Sequence, residues 1–267
     1  MKFDIRRFQT VPSTMDLCRA YAEQGAGEGL VVLADEQTAG RGRAGRAWYS
    51  PPGRSLYLSI LLRPDLHPRQ IGWLTMIGAL AVCEIAKETA NAQAADPRSR
   101  ASALPASLPP SQAQGWEALQ FRLKWPNDVL LNGRKVAGVL VESSLIGNRL
   151  DYAVLGIGLN VNTLFDDAPE EVRRRATSLR EALGHEVDRD VVLRRLLAAF
   201  GARYAMLPAS PLADYARRLD TLGRRVRLQV GDEVVEGDAA RVEDDGALVV
   251  MTDGGERTVT FGEVMSL

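Results

Sequence analysis

Residues 37–48 concentrate arginine and glycine in a pattern that suits an anionic ligand. The run reads Gln-Thr-Ala-Gly-Arg-Gly-Arg-Ala-Gly-Arg-Ala-Trp and follows a short apolar segment at 30–34. Glycine lets backbone N–H groups approach a ligand closely, and arginine grips phosphate or carboxylate through two parallel hydrogen bonds. Because no Gly-Lys-Ser/Thr follows, this is not a Walker A loop. A solvated surface loop that binds RNA is the alternative.

A second run, Lys-Trp-Pro-Asn-Asp at 124–128, places a cation in an apolar segment. Residues 121–131 alternate as one predicted strand, with Phe121, Leu123 and Trp125 on the same face. Burying an unpaired ammonium is costly. Lys124 therefore either meets a partner anion or reaches solvent from the end of the strand.

Glycines interrupt two further predicted strands. The run at 133–142 reads Gly-Arg-Lys-Val-Ala-Gly-Val-Leu-Val-Glu, and the run at 156–160 reads Gly-Ile-Gly-Leu-Asn. A glycine inside a strand marks either a bulge or the close approach of a ligand or another backbone. For Ala137-Gly138 both alternatives remain open, and the second run places two glycines and the polar amide of Asn160 near the end of a buried strand.

Together, these runs resemble the catalytic core of biotin–protein ligases over about residues 10–165. The combination of Gly-Arg-Gly-Arg-x-Gly-Arg-x-Trp, Lys-Trp-Pro-Asn-Asp and Gly-Arg-Lys-Val-Ala-Gly is highly specific. The resemblance implies a ligase that activates biotin with ATP as biotinyl-5′-AMP. The biotinyl group then passes to a lysine of a biotin carboxyl carrier protein or domain, and Mg²⁺ accompanies the ATP.

The same resemblance implies roles for individual residues. Lys124 and Arg43 are the candidate catalytic residues, because a cation relieves the repulsion between carboxylate and phosphate and stabilises the developing charge. Candidate biotin-binding residues are Ser13, Thr14, Met15, Gln37, Arg41, Gly42, Arg43, Lys124, Ala137 and Gly138. The family often has Asn where this chain has Met15. Candidate ATP- or adenylate-binding residues are Arg41, Arg43, Arg46, Trp48 and Asn160. Asp128 is either a Mg²⁺ ligand or a structural acid.

The predicted elements define two domains. An α+β domain over 1–220, with a mixed or antiparallel sheet and packed helices, precedes a small SH3-like β-barrel over 221–267. Three helices are predicted: one that begins after a capping Ser13, one over 71–90 and one over about 190–206. Three strands joined by tight turns over 121–161 are predicted to form a meander. Residues 91–114, rich in Ala, Ser and Pro, are expected to form an irregular, mobile insertion.

Composition excludes several partners. Lys and Arg total 33 against 34 Asp and Glu, a formal net charge of −1, so no global basic field points to nucleic acid. No segment approaches the length of a membrane span. The two cysteines, Cys18 and Cys83, are expected to be buried in helices, and the two isolated histidines cannot complete a zinc site with them. We expect a cytoplasmic enzyme, and homodimer formation is left open.

Three other functions remain to be weighed. A lipoate–protein ligase shares the fold class, but the Arg/Gly run and the C-terminal barrel favour biotin. A nucleic-acid-binding module is disfavoured by the neutral charge and the few aromatic residues near the run. A catalytically inactive homologue is disfavoured by Lys124 and the three arginines. Repressor forms of biotin ligases carry an N-terminal winged helix, and Ser13-Thr14 follows the first residue too closely to leave room for one, so no DNA binding is expected.

The arginines also suggest a lid. Three like charges repel one another in the absence of an anion, and glycine permits movement, so we expect the run to be mobile when empty and ordered by biotin and ATP.

Overall fold

The structure is a computed structural model that describes residues 1–95 and 119–266. Within these residues, the chain forms a seven-stranded mixed sheet, a five-stranded antiparallel sheet and six α-helices. The strands are β1 Asp4–Val11, β2 Leu30–Gln37, β3 Leu56–Leu62, β4 Phe121–Lys124, β5 Asp128–Leu131, β6 Arg134–Ile146, β7 Arg149–Leu159, β8 Arg225–Val230, β9 Glu233–Val242, β10 Leu248–Thr252, β11 Gly255–Val259 and β12 Glu263–Ser266. The helices are α1 Thr14–Glu23, α2 Gly72–Ala95, α3 Glu170–Arg175, α4 Leu179–Leu183, α5 Arg189–Tyr204 and α6 Leu212–Ala216.

The larger sheet is covered by helices on both faces. Its order is β1-β2-β3-β7-β6-β5-β4, with β1 and β2 parallel and every other pair antiparallel. Side chains alternate along β2, so Leu30 and Val32 pack with α1 whereas Val31 and Leu33 join the core that includes α2. Residues 30–34 of β2 are therefore all apolar, without the alternation of a half-exposed strand, because both faces of this strand are buried. The predicted α+β class is confirmed.

The N-terminal part departs from the sequence-based expectations in two ways. Residues 4–11 form an edge strand that was not predicted, because most of its side chains are exposed and show no apolar alternation. Ser13 occupies the N-cap position of α1, but the expectation that its side chain caps the helix is wrong: the hydroxyl accepts no bond from the helix. That hydroxyl is therefore free for another partner.

The predicted meander is confirmed with one correction. Strands β5, β6 and β7 pair antiparallel in sequence. The segment expected to be one strand over 121–131 is instead a tight hairpin of β4 and β5, in which Lys124 is paired with Asp128. Trp-Pro at 125–126 breaks the extended chain between them. The lysine thus lies at the end of a strand and faces a carboxylate across the hairpin.

The first five residues of the predicted insertion belong to a helix. Helix α2 continues through residues 91–95, a segment rich in alanine, the best helix former. The remainder of the predicted insertion, 96–114, lies outside the described residues. Cys18 and Cys83 are both free and buried in helices, as predicted, and burial raises the pKa of each thiol to about 12. No helix in the described part of the chain has the length and apolar character to span a bilayer.

The second sheet, β11-β10-β9-β8-β12, packs directly against the first domain. The indole N–H of Trp125 donates to the Gly246 carbonyl over 2.9 Å, and that of Trp73 donates to the Asp244 carbonyl over 2.5 Å. At the junction of the two domains, the Thr221 hydroxyl accepts a hydrogen bond from the backbone N–H of Trp125 over 2.9 Å. The loop after Lys124 is therefore fixed by the C-terminal sheet.

Candidate active site

One cavity of about 690 Å³ collects almost all of the predicted site residues. It lies on the α1 side of the large sheet and is closed at one end by β12 of the second sheet. Of the predicted residues, its lining includes Ser13, Thr14, Met15, Gln37, Arg41, Gly42, Arg43, Arg46, Trp48, Lys124, Asp128, Gly138 and Asn160. Side chains spread over 150 positions of sequence thus share one space.

Three glycines, Gly138, Gly156 and Gly158, form a flat region of the sheet that we call the glycine floor. Gly138 pairs with Gly158 across β6 and β7, and Gly156 is next to them along the same face. The indole of Trp48 lies on two of these residues: a Cβ on Gly158 would lie 2.4 Å from the ring, and one on Gly138 would lie 3.0 Å from it. Glycine is required because any side chain would displace the ring.

Ala137 is the one predicted site residue that does not line this cavity. It is fully buried and packs in the core on the opposite side of the sheet. Successive strand residues point to opposite faces, so Gly138 and Ala137 cannot both face the ligand space. Of the two residues expected to form a wall beside biotin, the structure brings only Gly138 to the surface of the cavity.

At the deep end, a chain of hydrogen bonds fixes the polar residues. Both the backbone N–H and the hydroxyl of Thr14 donate to Gln37 Oε1, over 2.9 and 3.1 Å. Gln37 Nε2 donates to the Ser50 hydroxyl over 3.2 Å, and that hydroxyl donates to the Trp48 carbonyl over 3.0 Å. These side chains are therefore held in place before any ligand arrives.

Met15 occupies this end as an apolar neighbour. It is 4% exposed, and its sulfur would lie 2.8 Å from a Cβ on Gly156. The thioether thus packs on the glycine floor and gives the cavity an apolar surface beside the hydroxyls of Ser13 and Thr14. A methionine at this position, unlike the asparagine often found in the family, has no amide to add to the hydroxyls of Ser13 and Thr14.

Residues 41–47, called the Arg/Gly loop from here on, form a small hairpin at the mouth of the cavity. Arg41 bridges to Ala47, and the Gly42 N–H donates to the Arg46 carbonyl over 2.7 Å. The three loop arginines were expected to repel one another in the absence of an anion, but two of them have carboxylate partners within the protein. Arg41 forms ion pairs with Asp16 and Glu142, each at 2.9 Å, and Arg46 pairs with Glu263.

Arg43 and Lys124 are the cations of the predicted set that lack such partners. Neither makes an ion pair with any residue in the described ranges. Burial lowers the pKa of the Lys124 ammonium below its ordinary value, against the opposing charges of Asp128 and Glu263. Burial likewise lowers the pKa of the Arg43 guanidinium. Two partly desolvated and unpaired cations facing one cavity attract an anion strongly.

Asp128 is partly neutralised by a residue of the same cavity. Its carboxylate lies 2.6 Å from Lys135 Nζ, which also lies 5.1 Å from the centre of a Trp48 ring. In the described part of the chain, no three His, Cys, Asp or Glu side chains are grouped for a metal ion. A Mg²⁺ ion at this position would fit only as a companion of phosphate oxygens, which is the usual mode for nucleotide-bound Mg²⁺.

The described structure leaves three buried side-chain polar atoms without a partner, and all three belong to this cavity. They are Ser13 Oγ, Arg41 Nε and Trp48 Nε1. Unsatisfied buried donors are expensive and rare in a folded protein. Their concentration in one cavity indicates that a ligand supplies the missing partners.

Sequence reasoning missed the far wall of the cavity. Residues of α3 and its flanks line it, and Tyr49 and Val172 pack on a small apolar cluster that includes Phe165. The Glu-Glu-Val-Arg-Arg-Arg run of α3 carries acids in its first turn and bases in its last, a pattern that predicts a short helix. Asn160 lies nearby, and its Nδ2 donates to the Thr177 carbonyl over 3.0 Å.

The charge of the cavity differs sharply from that of the chain. Although the formal net charge of the protein is −1, basic side chains outnumber acidic ones among the described residues that line the cavity. The basic ones are Arg41, Arg43, Arg46, Lys124, Arg134, Lys135, Arg174 and Arg175, and the acidic ones are Asp128, Glu171 and Glu263. Local excess positive charge of this kind suits a polyanion such as a nucleoside triphosphate.

Fold, cavity and charge together match one class of protein. The chain belongs to the biotin/lipoate A/B protein ligase family, which residues 7–160 match. Residues 221–265 match the biotin protein ligase C terminal domain, which assigns the second sheet as well.

Individual relatives agree with this assignment. The chain is 35% identical to the biotin–[acetyl-CoA-carboxylase] ligase of Mycobacterium tuberculosis over 264 residues, which cover 97% of this chain and 87% of that protein. The biotin protein ligase of Aquifex aeolicus in complex with biotin and ATP superposes with a TM-score of 0.73 at 30% identity, covering 97% of both chains. The Leishmania major biotin protein ligase in complex with biotinyl-5-AMP gives a TM-score of 0.62 at 27% identity, with 99% of both chains covered.

Proposed function

We propose that the protein activates biotin with ATP to biotinyl-5′-AMP and pyrophosphate and then transfers biotin to a lysine of a biotin carboxyl carrier domain. This is the reaction of biotin–[acetyl-CoA-carboxylase] ligases, EC 6.3.4.15. The observation that carries the proposal is one cavity that combines a polar, prearranged end, a glycine floor and two cations without an ion-pair partner among the described residues.

The deep end supports binding of the biotin head group. A ureido ring presents one carbonyl and two N–H groups, which suit hydroxyl and amide partners. The Ser13 hydroxyl is buried and free, while Thr14 and Gln37 are already oriented by their mutual hydrogen bonds. The apolar side chain of Met15, which packs on Gly156, would give the thioether ring an apolar surface beside these polar groups.

In the first half-reaction, a carboxylate oxygen of biotin attacks the α-phosphorus of ATP, and the bond to the bridging oxygen breaks to release pyrophosphate. Both reactants are anions, so their approach needs positive charge at the junction. Lys124 and Arg43 supply it, since neither is neutralised by an ion pair to a described residue. Mg²⁺ bound to the phosphates would supply further positive charge, and Asp128, which lines the cavity, would be the carboxylate to contact it.

In the second half-reaction, the acceptor lysine attacks the carbonyl carbon of the mixed anhydride. AMP leaves with the bonding electron pair, and the amine loses a proton as the amide forms. Lys124 stabilises the oxyanion of the tetrahedral intermediate by the same charge. Between the two steps the anhydride must be kept from water, and the Arg/Gly loop, whose residues line the cavity, would be the segment that excludes it.

The test is direct. Purified protein is incubated with a biotin carboxyl carrier domain, biotin and Mg-ATP, and the carrier is analysed by mass spectrometry. One added biotinyl group per carrier is expected, with none when ATP is omitted. An unmodified carrier, with no biotin-dependent exchange of pyrophosphate into ATP, would reject the proposal.

Lipoate is the substrate to compare. The family covers both biotin and lipoate ligases, and the match of the second sheet to the biotin protein ligase C terminal domain favours biotin. Titration calorimetry with each acid in the presence of a non-hydrolysable ATP analogue separates the two. Tighter binding of lipoate than of biotin would change the substrate but not the reaction type.

A further inference from the structure

The three arginines of the Arg/Gly loop have different surroundings. Arg41, at the first end of the hairpin, contacts Asp16 from α1 and Glu142 from β6. Arg46, at the other end, pairs with Glu263 from β12. Arg43, between them, has no ion-pair partner in the described ranges. Carboxylates therefore neutralise the two ends of the loop and leave its middle charged.

We propose that Asp16, Glu142 and Glu263 are positioning residues that hold the Arg/Gly loop over the cavity, so that Arg43 alone is left for the phosphate of the ligand. Asp16 and Glu142 fix one end of the hairpin to helix α1 and to the large sheet, and Glu263 fixes the other end to the C-terminal sheet. Their effect on retention of the acyl-adenylate rests on the proposed function; their effect on the position of the loop does not.

The geometry at Arg41 is stronger than that of an ordinary surface pair. Two guanidinium nitrogens face the two oxygens of Glu142 at 2.9 and 3.1 Å, and Asp16 lies at 2.9 Å. Arg19 contacts both carboxylates from its own side, so the four charges balance as a network. Isolated exposed pairs contribute little, but bidentate geometry within a network is the recognised exception. The side chains of Arg41 and Glu142 are 35% and 33% exposed.

The anchors also come from three separate elements in both domains. A loop tied at both ends has few open conformations, because releasing either end requires an arginine to lose its carboxylate. Arg43 then meets the ligand without a carboxylate partner, and burial has already lowered the pKa of its guanidinium. Binding of a phosphate at Arg43 therefore does not compete with the carboxylates that hold the loop.

Limited proteolysis of the unliganded full-length protein tests the anchors without any assumption about activity. Trypsin cleavage after Arg43 is followed in wild type, Glu142→Gln, Asp16→Asn and Glu263→Gln. The matched control is Asp151→Asn, which breaks the Arg63–Asp151 pair at 3.3 Å, whose side chains are each 32% exposed and lie outside the cavity. We expect cleavage about three- to fivefold faster in each anchor variant, the amount expected for one partly exposed ion pair, and wild-type rates in the control.

A double-mutant cycle shows whether Glu142 acts through Arg41. If it does, Glu142→Gln accelerates cleavage after Arg43 in the wild-type background but adds nothing to Arg41→Gln, since the partner is already gone. Additive effects in this cycle, equal cleavage of wild type and all three anchor variants, or an equal rise in Asp151→Asn would each overturn the proposal. If thermal unfolding shows that Glu142→Gln is not folded, cleavage after Arg43 in Glu263→Gln, which changes the other end of the loop, tests the anchoring role instead.

Release of the intermediate provides a second measurement. Biotinyl-AMP bound to wild type, Glu142→Gln and Asp151→Asn is chased with excess unlabelled biotinyl-AMP, and its dissociation rate is recorded. A severalfold faster release from Glu142→Gln alone is expected, and identical rates in all three proteins would contradict the anchoring role. Failure of the wild type to bind biotinyl-AMP would reject the proposed function, and the proteolysis result would still stand.

Discussion

The indole of Trp48 lies on Gly158 so closely that a Cβ there would be 2.4 Å from Cε2 and 2.7 Å from the indole nitrogen. Real Cβ contacts are not this short, so the ring can hold its position only while residue 158 lacks a side chain. Lys135 lies beside the same ring, with its Nζ 5.1 Å from a ring centre and its side chain next to Gly138. The glycine floor thus determines where a flat ligand could stack.

Gly158→Ala is therefore expected to weaken ATP binding. The added methyl group displaces the indole, and overpacking of this kind costs about 1–3 kcal/mol; if that cost falls on the nucleotide site, the ATP dissociation constant rises roughly fivefold or more. Biotin binding should change little. Gly27→Ala is a suitable control because a Cβ at that position meets nothing within 4 Å. Titration calorimetry measures both ligands, and unchanged ATP affinity would remove Trp48 from the nucleotide site.

Lys124→Met is expected to abolish most adenylation. Loss of a charge that stabilises the transition state lowers rates by about 10²–10³-fold, whereas the apolar stem of methionine preserves packing. Lys124→Arg retains the charge and should recover part of the activity. Biotin-dependent ATP–pyrophosphate exchange measures this step without the acceptor. Near-normal exchange by Lys124→Met would eliminate the lysine as the catalytic cation.

The same lysine predicts a pH dependence of stability. Its pKa in the folded state lies below the ordinary value of 10.5 because burial disfavours the charge. Between these two pKa values the unfolded chain binds more protons, so the contribution of Lys124 to stability rises with pH across that window. Lys124→Met should thus be more stable than wild type at neutral pH, and the difference should narrow as the pH approaches 10.5. Urea unfolding at a series of pH values checks the trend. A constant difference would show that the ammonium is not destabilised by burial.

Two buried serines should respond oppositely to replacement by alanine. Ser13 Oγ has no partner in the described structure, so Ser13→Ala should leave thermal stability unchanged or raise it while weakening biotin binding roughly two- to tenfold. Ser59 donates to Thr14 Oγ1 over 2.8 Å in the buried interior, so Ser59→Ala should lower stability. Thermal unfolding and biotin titration of both variants make the comparison. Loss of stability in Ser13→Ala with intact biotin affinity would place that hydroxyl in the fold instead of the site.

Arg43→Gly is expected to form biotinyl-AMP but to retain it poorly. The guanidinium carries the uncompensated charge of the Arg/Gly loop, so its removal should let the adenylate escape and label lysines on unrelated proteins. Incubation with serum albumin, biotin and Mg-ATP, followed by detection of protein-bound biotin, measures the leak. In the wild type, the leak should rise with salt concentration, because salt screens the charge contact. Equal labelling of albumin by wild type and variant would argue against retention by Arg43.

Strong local signals were enough to predict much of the fold. The apolar segments of β2 and β3 and the helical periodicity of α2 and α5 are properties of the residues themselves, and Asn132-Gly133 indicates the turn between β5 and β6. Strand β1 was missed because its strand character comes from parallel pairing with β2, a contact remote in sequence. The split between β4 and β5 was missed because the alternation of residues 121–131 continues across the turn.

The site shows the same division. The motifs predicted which residues gather, because glycine and arginine at these spacings carry their chemistry wherever the chain places them. They could not predict which face a strand residue points to, so Ala137 was assigned together with Gly138. Nor could they supply the partners of Arg41, since Asp16 and Glu142 approach it from distant elements. Pairing across the tertiary structure is a property of the fold and not of a local pattern.

The hydrogen bonds of Gln37 connect the binding of biotin with the binding of ATP. One end of this amide holds Thr14, and the other reaches the Trp48 carbonyl through Ser50. A ligand that tightens the Thr14 end therefore also steadies the main chain that carries the indole. Such coupling is reciprocal: if bound biotin raises the affinity for ATP by some factor, bound ATP raises the affinity for biotin by the same factor. Cooperativity between the substrates would then depend on one glutamine whose two ends lie between their binding sites.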